Sequence, residues 1–338
     1  MIKTLAFFDE VSDHHPICDL VGSPAHAGVV GESAEWNDVL KKAAKVAAMD
    51  TTVLLTGESG TGKEVVARLI HRASRRRNGP FVALNCAALP EQLLESEVFG
   101  FERGAFTGAQ HSKPGYIELA ARGVLFLDEV SELSLSAQAK FLRVLQEREF
   151  QRLGGTRTVQ AQIRVVAATN RDLRKAVDCG DFREDLFYRL HVFDIHIPPL
   201  RERPDDILPL SDAFLQEIGK SFGRLSAVLT RNAREALLDH EWPGNVRELR
   251  NALERAAILA DGGVIDTDHL ALQKRSTPSG QARTATTNLG SIERETIARV
   301  LRETHWNKSK AAERLGLSRT QLYGRMRRFG LEALAGRQ

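Results

Sequence analysis

Residues 57–64 read Gly-Glu-Ser-Gly-Thr-Gly-Lys-Glu and follow directly on Thr52-Val53-Leu54-Leu55-Thr56, a short β-branched apolar run. Such a run suits a buried parallel strand, and residues 65–72 behind it read as a helix. A G-x-x-x-x-G-K segment between strand and helix constrains the fold more than any other feature of the chain. Its glycines let backbone N–H groups wrap phosphate oxygens, the helix N-terminus faces the anion, and Lys63 reaches the β- and γ-phosphates. Gly57, Glu58, Ser59, Gly60, Thr61, Gly62, Lys63 and Glu64 are therefore expected to hold a nucleoside triphosphate on an α/β parallel sheet. Glu64 stands where a Ser or Thr usually gives magnesium a hydroxyl, so the metal must rely on water and on carboxylates elsewhere.

Those carboxylates lie downstream. Gly123-Val124-Leu125-Phe126-Leu127 is apolar and ends in Asp128-Glu129, which sets two acids at the carboxyl edge of the sheet, where α/β ligands bind. Alone, an Asp-Glu pair after a strand is usually a solvated strand end. Beside a phosphate loop, Asp128 is expected to position Mg2+ and Glu129 to orient or deprotonate the attacking water. A third strand, 163–168, ends in Thr169-Asn170, whose short side chains would sense the γ-phosphate by hydrogen bonding. Residues 181–190 read as a helix with Arg183 and Arg189 six apart. In an oligomer, one or both would reach a neighbour's γ-phosphate as arginine fingers. From about residue 205 to 272 the chain reads helical throughout, as a lid. Within it, Arg247 follows the turn Trp242-Pro243-Gly244-Asn245, where it would approach the nucleotide of its own subunit.

Gly104-Ala105-Phe106-Thr107-Gly108-Ala109 holds no charge, catalytic side chain or metal ligand. Phe106 sits among small residues that cannot bury it, and the glycines permit backbone shapes closed to other residues. The simple reading is a flexible loop whose Phe folds back on the core. Set between a phosphate loop and an acidic strand end, it is expected instead to move against a protein partner as nucleotide is hydrolysed.

With 338 residues, 42% of them hydrophobic and 27% charged, two or three globular domains are expected. Residues 1–25 mix Asp, His, Pro and Gly without a period and read as a leader or remnant, with no sensory module in the chain. The net charge of +3 is unevenly spread: from Ser291 onward there are 11 Lys and Arg against 5 Asp and Glu, which suggests a polyanion partner for the tail. Cys18, Cys86 and Cys179 are odd in number and form no C-x-x-C pair, arguing against disulfides and zinc. No run approaches the ~18 consecutive apolar residues of a membrane span, and no signal-peptide core forms before Asp9-Glu10. A cytoplasmic location is expected.

Residues 274–290, rich in Ser, Thr, Gly and Pro, read as a linker. Beyond it, 292–303 and 307–315 read as helices, Gly316 ends the second, and Ser318 caps a third over 319–329. Two helices across a short glycine turn, the second bearing Arg319, Gln321, Arg325, Arg327 and Arg328, match a DNA-binding helix-turn-helix, with Ala311-Ala312 allowing close helix approach. Arg319 and Thr320 are expected to reach base edges, and Tyr323 and Arg327 to touch bases or phosphates.

Together these residues resemble the AAA+ activators of sigma-54 RNA polymerase, the NtrC-type bacterial enhancer-binding proteins. The resemblance runs from about residue 29 to 331. It rests on GESGTGKE at 57–64, NCAAL at 85–89, ESEVFGFERGAFTGA at 95–109, GVLFLDE at 123–129, FREDLFYRL at 182–190, WPGNVRELRN at 242–251 and a Fis-like tail. It implies an AAA+ P-loop NTPase core over 26–200, a helical lid over 201–273 and an all-α Fis-type helix-turn-helix domain over 291–338. It implies a ring-forming ATPase, a hexamer, bound to enhancer DNA through paired C-terminal domains and remodelling the sigma-54 RNA polymerase holoenzyme. Gly104 to Ala109, with Phe106 and Thr107 at the tip, would contact sigma-54. Asn85 would hold Glu129 until nucleotide and loop are in step, Arg183 and Arg189 would be the trans-acting fingers, Arg247 the sensor arginine, and Val30 and Gly31 the start of the adenine pocket. Control by a separate regulatory protein, control by abundance, and the chain being a piece of a longer protein stay open. So do a DNA-binding regulator with a retired ATPase core and a remodeller of some other protein.

Overall fold

The computed structural model describes residues 29–261, 263–272, 296–298, 300–301, 303–304 and 306–328. The leader and linker expected from sequence lie outside the described residues. The chain divides into two units, residues 1–273 and 274–338, each with its own hydrophobic core.

In the first unit, α1 (Ala34–Ala47) precedes β1 (Val53–Thr56), α2 (Lys63–Arg72) and β2 (Phe81–Asn85). Next come α3 (Glu91–Phe99), the short pair β3 (Gly100–Phe101) and β4 (Lys113–Pro114), α4 (Tyr116–Leu119) and β5 (Val124–Asp128). After α5 (Leu135–Gln146), the hairpin β6 (Glu149–Gln151) and β7 (Thr158–Gln160) leads to β8 (Arg164–Thr169). The helices α6 (Leu173–Asp178) and α7 (Glu184–Leu190) then precede β9 (Asp194–His196). Strands β2, β5, β8, β1 and β9 lie side by side in that order, all parallel.

Side chains alternate across the sheet. Leu54, Leu125, Leu127, Val165 and Ala167 enter one core layer with Val98, Phe99 and Phe141 of α3 and α5. Val53, Leu55, Val124, Phe126, Val166 and Ala168 enter the other with Trp36, Val39, Val66 and Ile70 of α1 and α2. Both faces are covered, which is why these strands read as unbroken apolar runs. Arg164 sits within one of them at 2% exposure. Its guanidinium donates to the carbonyls of Val46 (2.9 Å), Ala47 (3.0 Å) and Thr51 (3.2 Å). It thereby satisfies the carbonyl end of α1, where the helix dipole is negative, although burial pulls its pKa down.

At its other end α1 is capped by Ser33, whose Oγ accepts the Trp36 N–H at 3.1 Å. Arg183 departs from expectation. Helix α7 starts at Glu184, so Arg183 is its extended N-cap and only Arg189 lies on the helix. Its guanidinium instead grips Asp185, at 3.0 and 2.7 Å.

The lid comprises α8 (Ile207–Ser221), β10 (Val228–Leu229), α9 (Arg231–Asp239), α10 (Asn245–Leu259), β11 (Val264–Ile265) and α11 (Thr267–Leu270). These pack around Trp242, Leu249 and Leu253. The lid is not helical throughout: β10 and β11 pair in parallel. Two residues per strand carry no period to read, and the pairing exists only because the helices bring the segments together. Val228 N–H then donates to Gly263 at 3.1 Å and Thr230 N–H to Ile265 at 2.9 Å. Among the described residues no helix is long and apolar enough to cross a membrane.

In the second unit, residues 296–298, 300–301 and 303 are helical, followed by α12 (Lys308–Arg314) and α13 (Arg319–Arg328). Ile297, Leu301, Ala311, Ala312, Leu322 and Met326 form its core. Gly316 ends α12 with φ 63°. Ser318 Oγ accepts the Gln321 N–H at 3.2 Å while Gln321 Oε1 accepts the Ser318 N–H at 2.9 Å, a reciprocal cap that fixes the entry to α13.

Candidate functional site

The carboxyl ends of the parallel strands meet along one edge. Strand register sets Asn85 beside Asp128 and Thr56 beside Thr169, and residues 57–62 leave that edge from β1. A Cβ on Gly57 would lie 2.6 Å from the Ile197 carbonyl oxygen, and one on Gly60 would lie 2.4 Å from that of Gly244. Both glycines have positive φ, so neither position tolerates a side chain. Thr61 tightens the loop by donating its hydroxyl to the Glu58 carbonyl at 2.8 Å. Helix α2 begins at Lys63 behind the left-handed Gly62, which aims its free N–H groups into the loop.

Lys63 is 7% exposed. Its ammonium donates to the carbonyls of Gly57 (2.9 Å) and Glu58 (3.2 Å) and lies 3.8 Å from Glu129 Oε1. Burial lowers its pKa, while the charges of Glu129 and Asp128 raise it. Burial and then the charge of Glu129 push Asp128 up. Two carboxylates thus face one ammonium in a partly buried setting, a donor set that a hard divalent cation fits. Glu129 has φ 53°, uncommon for a residue with a side chain and costly unless its surroundings hold it. Its Oε2 accepts the Asn170 N–H at 3.1 Å, and its own N–H donates to Asp128 Oδ1 at 3.1 Å.

Asn85, Thr169, Arg247 and Glu64 make other pairings. Asn85 Oδ1 accepts the Ala87 N–H at 2.9 Å, so in this structure Glu129 is held by Asn170. Thr169 is buried, accepts the Arg171 N–H at 3.1 Å and donates to Ser131 Oγ at 3.3 Å. Arg247 reaches the loop, its guanidinium donating to Ser59 Oγ at 2.9 Å. Arg189 is exposed. The Glu64 carboxylate is taken by Arg68, one helical turn on, at 2.6 and 3.0 Å. Val30 packs against the lid core, and Gly31, φ 148°, lies so close to Trp36 that a Cβ would meet its ring at 2.4 Å.

Several contacts at this junction are not legible in the sequence, which marks Glu58 only as part of the phosphate loop. Glu58 turns its carboxylate away to Arg201, at 2.8 and 2.6 Å, and to Asn245 Nδ2, at 3.1 Å. These hydrogen bonds, Arg201's first, hold it down at about 2. Arg203, 1% exposed, donates to the Thr61 carbonyl at 2.7 Å and stacks over Trp36 at 4.6 Å. Asp206, fully buried, accepts the N–H groups of Glu32 (2.6 Å) and Ser33 (2.8 Å) and the Ser33 hydroxyl (2.9 Å). Each partner lies more than 140 residues away, so no local pattern marks these contacts.

Residues 104–109 project between β3 and β4. The Gly104 N–H donates to the Ala109 carbonyl at 2.9 Å, closing the base, and the Ala109 N–H donates to Phe106 at 3.0 Å. Gly104 and Gly108 have positive φ. Phe106, Thr107 and Gly108 are exposed, Ala105 is half-buried and Ala109 is buried. Beneath the loop, Arg152 of the turn after β6 binds Glu118 at 2.8 and 2.7 Å and Glu102 at 3.1 Å. That turn is so close that a Cβ on Gly154 would meet Ala105 Cβ at 2.7 Å.

In the second unit Arg319 and Thr320 stand exposed at the start of α13 beside the capping Ser318. Tyr323, 39% exposed, lies under the Lys308 ammonium at 4.8 Å. The side chain of Arg327 lies outside the described residues.

Three family models cover the chain: the Sigma-54 interaction domain over residues 29–196, an AAA+ ATPase lid domain over 201–287, and the Fis family of bacterial regulatory proteins over 289–329. The chain is 48% identical over 312 residues to the formate hydrogenlyase transcriptional activator FhlA of Escherichia coli, covering 91% of this chain and 45% of that protein. It is 44% identical over 313 residues to the regulatory protein AtoC of Escherichia coli, covering 90% of this chain and 68% of AtoC. The Nif-specific regulatory protein of Azotobacter vinelandii is 48% identical over 308 residues, or 90% of this chain and 59% of that protein. The chain therefore spans about half the length of most of these relatives. Among solved structures, NtrX from Brucella abortus in complex with ADP superposes with a TM-score of 0.69 at 34% identity, over 89% of this chain and 70% of that one. Its complex with ATP gives the same score and identity. A parallel-sheet P-loop core, a helical lid and a Fis-type helix-turn-helix unit, in that order and at these identities, place the chain in the family of sigma-54-dependent, NtrC-type transcriptional activators.

Proposed function

We propose that this protein hydrolyses ATP at the strand edge and uses the swing of residues 104–109 to remodel sigma-54 RNA polymerase holoenzyme at promoters, while its helix-turn-helix unit holds enhancer DNA. The observation that carries the reading is the Lys63 ammonium 3.8 Å from Glu129 at the mouth of the phosphate loop, with Asp128 alongside. A core out of use has no physical need of that constellation. Lys63 would leave its two loop carbonyls for the triphosphate. Glu129, released from the Asn170 N–H, would orient the attacking water. Magnesium bound with ATP would offset phosphate charge, held by Asp128 and completed by water and phosphate oxygens.

The coupling runs through the chain itself. Asn85 at the end of β2 joins the site edge, and only the turn at Cys86–Ala88 and α3 separate it from β3 and the loop. A change in which group holds Glu129, from Asn170 to Asn85, would therefore shift α3 and lift the loop. Work can come only from contacts that differ between ATP, transition and ADP states. Arg183, freed from Asp185, and Arg189 would serve a neighbour's nucleotide in a hexameric ring, with Arg247 reading its own subunit's. Arg319, Thr320, Tyr323 and Arg327, entered through Ser318, would read DNA from a paired domain.

The test is capture of purified sigma-54 by the protein held with ADP and a metal fluoride, a mimic of the hydrolysis transition state. Capture in that state and not with ADP alone supports the reading. Capture in neither state, with ATP hydrolysis intact, keeps the ATPase and overturns the partner.

A further inference from the structure

The tip of the phosphate loop meets a buried side chain at the start of α10. Asn245 is fully buried and opens α10 with φ 53°. Asparagine tolerates that left-handed geometry better than most residues do. Its amide works at both ends: Oδ1 accepts the Leu200 N–H at 2.8 Å, and Nδ2 donates to Glu58 Oε2 and to the Ser59 carbonyl, each at 3.1 Å. The partners fix the amide's orientation, because a flipped group would set its oxygen against two acceptors and its NH2 against a donor. Neighbouring backbone extends the joint. Val246 N–H donates to the Gly60 carbonyl at 3.0 Å, and Gly60 lies against the Gly244 carbonyl.

Glu58 explains why the joint matters. It is a carboxylate within a loop that must receive a polyanion, and its charge would oppose the ligand if it turned inward. Arg201 and Asn245 hold it outward, and the Arg201 guanidinium offsets its charge.

We propose that Asn245 is a positioning residue for nucleotide binding: its two-ended amide seats loop residues 58–60 on the lid and holds the Glu58 carboxylate away from the phosphates. The proposal rests on the reading of residues 57–64 as the ATP site. Its side-chain partners are Leu200, Glu58 and Ser59, so it is expected to act on ATP and ADP alike.

The experiment uses the full chain and measures the affinity of fluorescent ATP and ADP analogues alongside kcat and KM for hydrolysis. Wild-type protein that binds neither nucleotide overturns the ATP-site reading itself. With wild-type binding present, Asn245→Gly keeps the left-handed backbone and removes only the amide. It should weaken both nucleotides about tenfold, the strength of one or two buried hydrogen bonds, and raise KM more than it lowers kcat. Asn245→Asp should weaken them further by setting a carboxylate against Glu58 and the Ser59 carbonyl. Adding Glu58→Gln to Asn245→Asp restores a donor at that contact and should recover part of the loss, although Glu58→Gln alone weakens binding. A merely structural role would show no such reciprocal rescue. Asn245→Ser, too short to span from the Leu200 N–H to Glu58, supplies the decisive affinity should Asn245→Gly fail to fold. Wild-type affinity in whichever of these two variants folds overturns the proposal.

Discussion

Phe106 rests edge-on against Phe101, their ring centroids 4.9 Å apart and their planes at 61°. Phe101 belongs to β3 and is half-buried, whereas Phe106 at the loop tip keeps 44% of its surface exposed. The pair gives the tip a resting place without burying it, which suits a segment proposed to leave and return. An aromatic edge contact contributes about 0.5–1.5 kcal/mol beyond its buried area.

Phe101→Ala should therefore raise the population of lifted loop about 2- to 10-fold, at 1.4 kcal/mol per factor of ten. Hydrogen exchange reads this directly, through the Gly104 and Ala109 amides that donate within the loop. Their exchange should quicken by that factor while amides of β5 and β8 stay unchanged. Equal exchange in both proteins would mean that the ring contact does not hold the loop.

Asp128 offers a stability test with a definite sign. Burial and the neighbouring Glu129 raise its pKa above the ordinary 3.8, so the folded state binds this proton more tightly than the unfolded state does. Stability from this group is greatest at low pH and falls as pH climbs from about 3.8 through the raised folded value, staying low above it. Asp128→Asn removes the charge and keeps an oxygen to accept the Glu129 N–H. The variant should melt at a higher temperature than wild type at pH 7, and the gain should vanish near pH 4. Its ATP hydrolysis should fall at least ~100-fold, the scale of removing a positioned group from a phosphoryl-transfer site. A lower melting temperature at pH 7 would show that Asp128 is held by attraction to Lys63 more than it is strained by burial.

The main architecture was legible because it rests on local signals. An apolar run followed by Gly57 to Lys63 names a strand, a loop and a helix at once, and the Asp128-Glu129 strand end follows the same logic. The tail was legible through Ala311-Ala312, Gly316 and Ser318, each of which acts on its immediate neighbours. What was hidden depends on contacts across the chain. Arg164 reads as a flaw in a strand until its three carbonyl partners on and just after α1 are seen. Asn245 and Asp206 read as turn and helix-start residues, because their partners lie 45 to 187 residues away in sequence. The β10–β11 pair could not be read at all, since two residues have no period. Arg183 reads as helical because Phe182 and Leu186, both buried, keep helical spacing through its non-helical backbone.

The DNA unit separates two kinds of contact. Arg319, exposed at the first position of α13, is proposed to meet a base edge, and Arg319→Ala should then lower affinity for a selected site by about 1–3 kcal/mol through loss of a bidentate guanine contact. Affinity for scrambled duplex should change far less. Lys310→Ala, on the exposed face of α12, should weaken both duplexes together and reduce the salt slope by about one. Fluorescence anisotropy over a salt series, with duplexes enriched from a random pool, measures both. Equal losses on the two duplexes for Arg319→Ala would reassign it to the phosphates.

Asp206 joins the lid to the start of α1 and so ties the two layers between which nucleotide is expected to lie. It is fully buried, accepts three hydrogen bonds from Glu32 and Ser33, and lies 3.7 Å from the Arg203 guanidinium. Arg203 has its own pKa pushed down to about 10 by burial, so it is already a charge that needs its partner. Removing one member of a buried pair leaves the other uncompensated, at a cost of about 3–5 kcal/mol. Asp206→Ala does this and also orphans the donors of Glu32 and Ser33. Arg203→Met is milder, because Met fills much of the same volume and Asp206 keeps its three donors. Urea unfolding followed by circular dichroism should rank wild type above Arg203→Met and Arg203→Met above Asp206→Ala, with the larger loss about 3–5 kcal/mol. The reverse order would mean that the guanidinium's bond to the Thr61 carbonyl and its stacking on Trp36, rather than the carboxylate's grip on α1, hold lid and core together.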